Sequence, residues 1–235
     1  MSAADVYSLA PYLVLGSALL VLMMTVTFTR SHRVAMWITV ARITAALFTA
    51  AWVSDAPQRT ILHLLQMDGF AAYFNILFLL AAGVTSLLAY HYLQGRRGEL
   101  EEFYLLVVTA TLGAMVMAAA SHFATFVLGL EILSISLYAL VAYTEEEHPP
   151  LEAALKYLVL SAVASIMVLF GMALIYNATG SMSFDAISSP ANARLEIHLR
   201  VGQALMFTGL AIVLIGSFPA PLIDSVSTLV ADFNR

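Results

Sequence analysis

Long apolar runs fill most of the chain, and short polar segments separate them. A transmembrane helix needs about 20 consecutive, mostly apolar residues. The runs of this length predict an all-α fold, a polytopic bundle of about seven transmembrane helices. The predicted spans are 9–29, 34–53, 70–92, 103–121, 122–143, 152–177 and 201–223. These spans leave no room for a soluble domain, so residues 1–235 are predicted to form a single membrane domain.

The apolar stretch from Phe103 to Tyr143 is too long for one span. At ~1.5 Å per residue a continuous helix would measure roughly 60 Å, about twice the thickness of the hydrocarbon core. Ser121 and His122 form the only polar pair near its middle. The sequence therefore predicts two antiparallel helices joined by a tight turn at Ser121-His122.

The composition supports a membrane location and excludes several classes of site. Apolar residues make up 61% of the chain and charged residues 11%, against roughly 45–50% and about 25% in soluble domains. Cysteine is absent, which excludes thiolate metal sites and thiolate ligation of iron–sulfur clusters in this chain. No metal-ligand spacing and no glycine-rich phosphate loop is present, and no basic stretch suits a nucleic acid.

Loop charges predict the orientation of the bundle. Cytoplasmic loops usually carry an excess of Lys and Arg. One side of the predicted bundle has four loop arginines, with Lys156 at its edge, and the other side has three: Arg30, Arg33, Arg96 and Arg97 against Arg59, Arg194 and Arg200. We therefore expect the N-terminus outside and the C-terminus in the cytoplasm.

Glu131 is the first candidate for chemistry, because it lies near the middle of the predicted span 122–143. An ionisable side chain at this depth costs ~2.5–3.5 kcal/mol on insertion scales, so it is seldom retained without a role. Ser134 and Tyr138 share its helical face, which predicts a polar stripe. A carboxylate that can gain or lose a proton suits a proton carrier. A structural hydrogen bond between helices is the alternative.

Three other ionisable residues are weaker candidates. Lys156 lies four residues into the sixth span, where a lysine can also extend to the membrane surface. By helical rise Lys156 is ~12 Å closer to the membrane surface than Glu131, so no direct salt bridge between them is expected. Arg42, near the centre of the second span, is either a charge partner for a carboxylate or extends toward water. His122 is either a proton relay or simply a polar turn residue.

The region from Glu102 to Phe184 resembles subunit N of bacterial complex I, the proton-pumping NADH:quinone oxidoreductase, within the antiporter-like membrane subunits. Two stretches carry the likeness, EFYLLVVTATLGAMVMAAASHFATFVLGLEILSISLYALVAY and LEAALKYLVLSAVASIMVLFGMALIYNATGSMSF. The GLE that ends at Glu131 and the AALKY around Lys156 are specific together. MDGFAAYF at residues 67–74 also resembles the start of the family's third helix.

The resemblance implies roles for these residues and a larger fold. Glu131 corresponds to the family's fifth-helix glutamate, which is implicated in proton translocation, and Lys156 to a less central lysine. The family has two inverted helical repeats with broken helices. This chain resembles the first six helices followed by the last one, so we expect a shortened member that lacks the second repeat. It also lacks the family's seventh-helix lysine, which pairs with the glutamate.

Three functions remain open at this stage. The leading one is a membrane subunit of a proton-translocating NADH:quinone oxidoreductase in a bacterial inner membrane. NAD, flavin and iron–sulfur clusters would then belong to partner subunits, peripheral and membrane-bound, and quinone would concern this chain only indirectly. The second is a subunit of a cation/proton antiporter complex. The third is a truncated structural subunit that conducts no protons.

Overall fold

The computed structural model describes residues 3–54, 57–94, 100–143, 148–187 and 196–216. These residues form helices and one two-stranded antiparallel sheet. In chain order the elements are α1 (Ala3–Ser8), α2 (Ala10–Thr29), α3 (His32–Val53), β1 (Arg59–Ile61), β2 (Leu65–Met67), α4 (Gly69–Leu93), α5 (Leu100–Ala118), α6 (Phe123–Val141), α7 (His148–Thr179), α8 (Phe184–Ile187) and α9 (Glu196–Gly216).

The predicted helical membrane bundle is confirmed. Six helices in the described part of the chain, α2 to α7, are long and apolar enough to cross a membrane, and α9 contains a shorter apolar stretch, Leu199–Ile212. Their ends agree with the predicted spans to within a few residues. The predicted end of the last span, residues 217–223, lies outside the described residues.

Contacts divide the chain into two compact units. The first comprises Met1–Leu151 with Ser183–Asp185, and the second comprises Glu152–Met182 with Ala186–Arg235. The expectation of one membrane domain over 1–235 stays a prediction.

In the first unit α5 is the central helix. It packs against α2, α3 and α4, while α6 makes its main contact with α5 alone. Small side chains such as Ala18, Ala46 and Ala82 allow the helices to approach closely in this core. The main neighbour of α6 is therefore α5, and its contacts with α2 to α4 are minor.

The closest contact in this unit joins α5 to α6 at two glycines. A Cβ atom on Gly113 would lie 2.7 Å from the Leu133 nitrogen, and one on Gly129 would lie 2.7 Å from the Met117 nitrogen. No side chain fits at either position. The sequence therefore forms a helical hairpin here, and the predicted tight turn replaces a continuous helix.

Backbone hydrogen bonds hold the turn of this hairpin between two other segments. The Gln66 N–H donates to the Ala119 carbonyl (2.7 Å), and the Ser121 N–H donates to the Leu64 carbonyl (3.0 Å). On the other flank the Phe184 N–H donates to the Ser121 carbonyl (3.1 Å). We call this end of the first unit the hairpin end. The strands β1 and β2 were not predicted from the sequence; β2 and the loop before it supply two of these three hydrogen bonds.

The outer surface of the first unit is as apolar as its core. Leu20, Trp52 and Leu88 are 67%, 65% and 69% exposed, whereas buried hydroxyls such as Thr39 and Ser86 donate to carbonyls of their own helix. A water-soluble protein rarely exposes an extended apolar surface. This arrangement is the one that a hydrocarbon solvent favours.

The second unit is built on a tight contact between α7 and α9. Buried residues recur on one face of α7 at intervals of three and four: Ala154, Tyr157, Ser161, Ala164, Val168, Ile175 and Ala178. A Cβ on Gly209 would lie 2.7 Å from the Ala164 carbonyl oxygen, and one on Gly202 would lie 2.7 Å from the Gly171 carbonyl oxygen. Small residues thus let the two helices touch through their backbones.

Candidate functional site

Glu131 lies at the centre of α6. It is the ninth of 19 residues in that helix, which puts it ~12 Å from the hairpin end by helical rise. Its depth depends on the turn, because the hydrogen bonds of Ala119 and Ser121 fix where α6 begins. The glycine contact between α5 and α6 at Gly129 lies only two residues away and holds the same turn of helix.

The side chain of Glu131 is half-buried. At ~100° per residue it lies roughly 200° around α6 from Gly129, which contacts α5, so it points away from that contact. Ser134 is buried, and its Oγ has no hydrogen-bond partner among the described residues, while Tyr138 is half-buried. On the other side of Glu131, Leu128 and Ile135 are 59% and 50% exposed. The polar stripe therefore borders an exposed apolar one, and the role of Glu131 as a proton carrier stays a prediction.

His122 caps the first turn of α6. Its Nδ1 accepts a hydrogen bond from the Ala124 N–H at 3.2 Å, and its backbone forms an antiparallel bridge with Ser183. The first N–H groups of a helix lack partners within the helix, so this acceptor has a structural use. The residue lies at the turn, as predicted, while its role as a proton relay stays untested.

Arg42 contacts a hydroxyl, and no carboxylate reaches it among the described residues. Its Nη1 donates to Ser17 Oγ at 2.9 Å, and Ser17 Oγ donates its own proton to the Val14 carbonyl at 2.8 Å. Arg42 thus links α3 to α2. Glu131, its suggested partner, lies on α6, and α3 is not among the main contacts of α6.

Lys156 lies on the exposed side of α7, within the second unit. Its neighbours Ala154 and Tyr157 are buried. Glu131 belongs to the first unit, so the predicted difference in depth between the two residues stays a prediction.

A polar cluster at the end opposite the hairpin end was missed by the sequence analysis. His32, the first residue of α3, stacks on Tyr90 with ring centroids 4.9 Å apart. The hydroxyl of the fully buried Tyr104 lies 3.4 Å from His32 Nε2, and the buried Nδ1 of His32 has no hydrogen-bond partner. Each residue stands near the end of a predicted span, where polar residues are common, so sequence alone offers little signal.

A second polar group lies at the hairpin end. The Asn75 amide donates to Tyr12 Oη at 2.9 Å, and Tyr12 Oη donates to the Met115 carbonyl at 3.4 Å. Both side chains line a cavity of about 200 Å³ together with Ser8, Ser54, Gln58 and Asp68. A polar cavity of this size can hold water. Asn75, a buried amide inside a span, was a signal that the sequence analysis did not use.

Within the ranges that the structure describes, no cluster of three or more His, Asp or Glu side chains could hold a metal ion. The polar groups of the first unit instead form separate sites at three depths. These are the Tyr12–Asn75 pair at the hairpin end, Glu131 and Arg42 near mid-depth, and the His32 cluster at the opposite end.

Residues 120–220 match the family described as NADH:quinone oxidoreductase/Mrp antiporter, TM. This match includes both Glu131 and Lys156.

Three solved structures contain chains with a similar fold. A chain of respiratory complex I from Thermus thermophilus with bound aureothin aligns with a TM-score of 0.73 and 29% identity, over 86% of this chain and 43% of that one. A chain of an archaeal membrane-bound sulfane sulfur reductase aligns with a TM-score of 0.76 and 24% identity, over 88% of this chain and 44% of that one. A chain of the Mrp complex from Dietzia sp. aligns with a TM-score of 0.74 and 21% identity, over 88% of this chain and 40% of that one.

The last two similarities, at 24% and 21% identity, concern the fold alone. In all three cases this chain spans less than half the length of the chain that it matches. What the similarities support is therefore a multi-pass helical membrane protein whose fold is similar to that of these chains.

Proposed function

We propose that this chain is a subunit N-like membrane component of a proton-translocating NADH:quinone oxidoreductase, and that Glu131 carries protons within it. The observation that carries the proposal is Glu131 itself. It is an ionisable group nine residues into a 19-residue span, inside the region that matches the antiporter-like family.

The physical argument begins with the cost of the charge. An ionisable group at this depth is unfavourable unless it pairs, reaches water or gives up its charge. Glu131 has no ion pair in the part of the chain that the structure describes. A carboxyl group in this situation takes and releases a proton as its surroundings change, and this is the property that a proton carrier needs.

In this proposal, partner subunits hold NAD, flavin, the iron–sulfur clusters and the quinone site, and this chain contributes no redox group. A bacterial inner membrane, with the N-terminus outside and the C-terminus in the cytoplasm, is the expected location. Lys156, near the start of α7, would pass charge between the cytoplasmic surface and deeper sites. His122 and Tyr138 are candidate relays, and both lie on the α6 segment that carries Glu131.

A cation/proton antiporter complex is the alternative, because the matched family description names both complexes. The quoted GLE and AALKY segments and the 29% identity to a complex I chain favour the oxidoreductase. The two functions differ in their energy source. Proton movement in the complex should depend on NADH oxidation in the first case and on a sodium or potassium gradient in the second.

The decisive experiment replaces Glu131 by Gln in the assembled complex and measures proton pumping in membrane vesicles with NADH as the electron donor. Glutamine keeps the size and polarity of the side chain and removes its titratable proton. We expect a large loss of pumping with the complex fully assembled. Glu102→Gln is the matched control, because Glu102 is exposed in the first turn of α5, and it should pump normally. Normal pumping by Glu131→Gln would remove Glu131 from the path.

A further inference from the structure

Arg42 is a cation inside the membrane, and no carboxylate among the described residues reaches it. A guanidinium has five N–H donors and keeps its positive charge in proteins. The described residues provide it with one hydrogen bond, to a serine hydroxyl. That hydroxyl is a neutral dipole, and its own proton is already donated to Val14. Four N–H donors of Arg42 and most of its positive charge therefore need another partner.

Arg42 also lies too deep for the water layer to supply that partner easily. Its backbone is eleven residues from Val53, the last residue of α3, or ~16 Å from the hairpin end. The side chain reaches Ser17, which is seven residues after the start of α2 at the same end, or ~10 Å deep. The guanidinium thus lies within a few ångströms of the depth of Glu131.

The groove around Arg42 is built like a surface for another helix. We define the α2–α3 seam as Leu13, Ser17, Leu20, Met24, Arg42 and Ala45. Leu13, Leu20 and Met24 are 54%, 67% and 59% exposed, on the side of α2 that carries Ser17. Ala45 is exposed one turn after Arg42. The seam is thus apolar, with a small residue, Ala45, and a half-buried hydrogen-bond donor, Arg42, at its middle.

No carboxylate among the described residues of the first unit fills this role. Glu131 is the other mid-depth ionisable residue described there, and its helix packs mainly on α5, with no main contact to α2 or α3. We propose that the α2–α3 seam docks a transmembrane helix of a partner subunit, and that an Asp or Glu of this helix, ~10 Å from the hairpin end, pairs with Arg42. A carboxylate can accept two parallel N–H bonds from a guanidinium, which fixes both depth and rotation of the docked helix.

Charge complementarity selects this occupant over a purely apolar helix or lipid. Apolar chains would fill the seam but would leave the guanidinium unpaired in hydrocarbon, which is costly. Helices in membranes associate through close packing and through polar contacts of this kind. The proposal concerns assembly, and it is separate from the proton path through Glu131.

The first test measures assembly of the full complex extracted in mild detergent. Arg42→Gln should reduce recovery of the docked subunit by about tenfold, which corresponds to ~1.4 kcal/mol, while the amount of this chain in the membrane stays normal. Arg42→Lys, which keeps the charge, should retain most of the assembly. Arg33→Gln is the matched control, because Arg33 is exposed at the start of α3, and it should assemble normally. Normal assembly of Arg42→Gln would overturn the proposal.

The second test identifies the occupant. The chain has no cysteine, so Ala45→Cys provides a unique attachment point for a photoreactive benzophenone. We expect a cross-link to one transmembrane peptide of a partner subunit that contains an Asp or Glu. Neutralising that residue should reproduce the Arg42→Gln defect, and exchanging the two charges should restore assembly. Cross-links to lipid alone, or between two copies of this chain, would overturn the assignment to a partner subunit.

Discussion

At the scale of single residues, polar groups inside this bundle fall into two kinds. Hydroxyls such as Thr39 and Ser86 donate to carbonyls of their own helix and need no other partner. Glu131 and Arg42 lie at similar depth, and no ion pair joins them in the described residues. Groups of the first kind belong to any membrane helix. Those of the second kind indicate sites of proton transfer or assembly.

His122 allows the structural role and the relay role to be separated. Replacing it by Asn keeps an acceptor that can cap α6 but removes the titratable ring. We expect His122→Asn to keep both stability and proton pumping, and His122→Ala to lose about 1 kcal/mol of stability with the lost cap. Unfolding in detergent and NADH-driven pumping provide the two readouts. A stable His122→Asn protein that fails to pump would instead establish the relay.

The glycines between α5 and α6 provide a prediction about packing. A methyl group at Gly113 would lie within 3 Å of backbone atoms of α6, so Gly113→Ala should destabilise the protein by about 1–3 kcal/mol through overpacking. Gly16→Ala is the control, since no atom lies within 4 Å of its added Cβ, and alanine is the better helix former. The denaturation midpoint of Gly113→Ala should therefore fall, and that of Gly16→Ala should rise or stay unchanged. Equal midpoints would contradict the close contact.

At the scale of helices and strands, the small sheet of β1 and β2 contributes more than its size suggests. Its loop and second strand hold the hairpin turn through Leu64 and Gln66, and the position of this turn determines the depth of Glu131. A mutation that weakens the sheet is therefore expected to loosen the turn between α5 and α6.

Gln66 tests this contact through its backbone. Proline at this position removes the N–H that donates to the Ala119 carbonyl, and leaving that carbonyl unpaired costs about 1–3 kcal/mol. Gln66→Ala keeps the N–H and should behave like the unmodified protein. We expect hydrogen exchange at the start of α6 to rise in Gln66→Pro alone. Unchanged exchange there would show that the turn is stable without the sheet.

The helices could be predicted from the sequence because span length and apolar runs reflect the same membrane thickness. The turn at Ser121-His122 followed from the length of the apolar stretch and from the single polar pair near its middle. The sheet could not be predicted, because Arg59–Ile61 and Leu65–Met67 are too short to show a strand pattern. The environment of Arg42 and the His32 cluster depended on which helices are neighbours, and apolar runs contain no information about that.

At the scale of the whole molecule, the mid-depth ionisable groups described in the first unit are Glu131 and Arg42. A path across the membrane needs ionisable or hydrated sites in both leaflets. The similar chains in solved complexes are more than twice as long as the aligned region. We therefore expect the remaining sites of the path to come from other parts of the complex.

The corresponding prediction is that this chain alone moves no protons. Liposomes that contain the purified chain and a pH-sensitive dye should show the proton leak of empty liposomes. The same chain with Glu131→Gln serves as the control. A flux well above this leak that disappears with Glu131→Gln would contradict the prediction and would show that the described helices suffice.

The central claim, that Glu131 carries protons during turnover, is tested most directly by infrared difference spectroscopy of the assembled complex. Spectra recorded before and during NADH oxidation should differ in a protonated carboxyl band. This band should vanish in Glu131→Gln and persist in Glu102→Gln. A complex that pumps normally, with no carboxyl signal that depends on Glu131, would contradict the account.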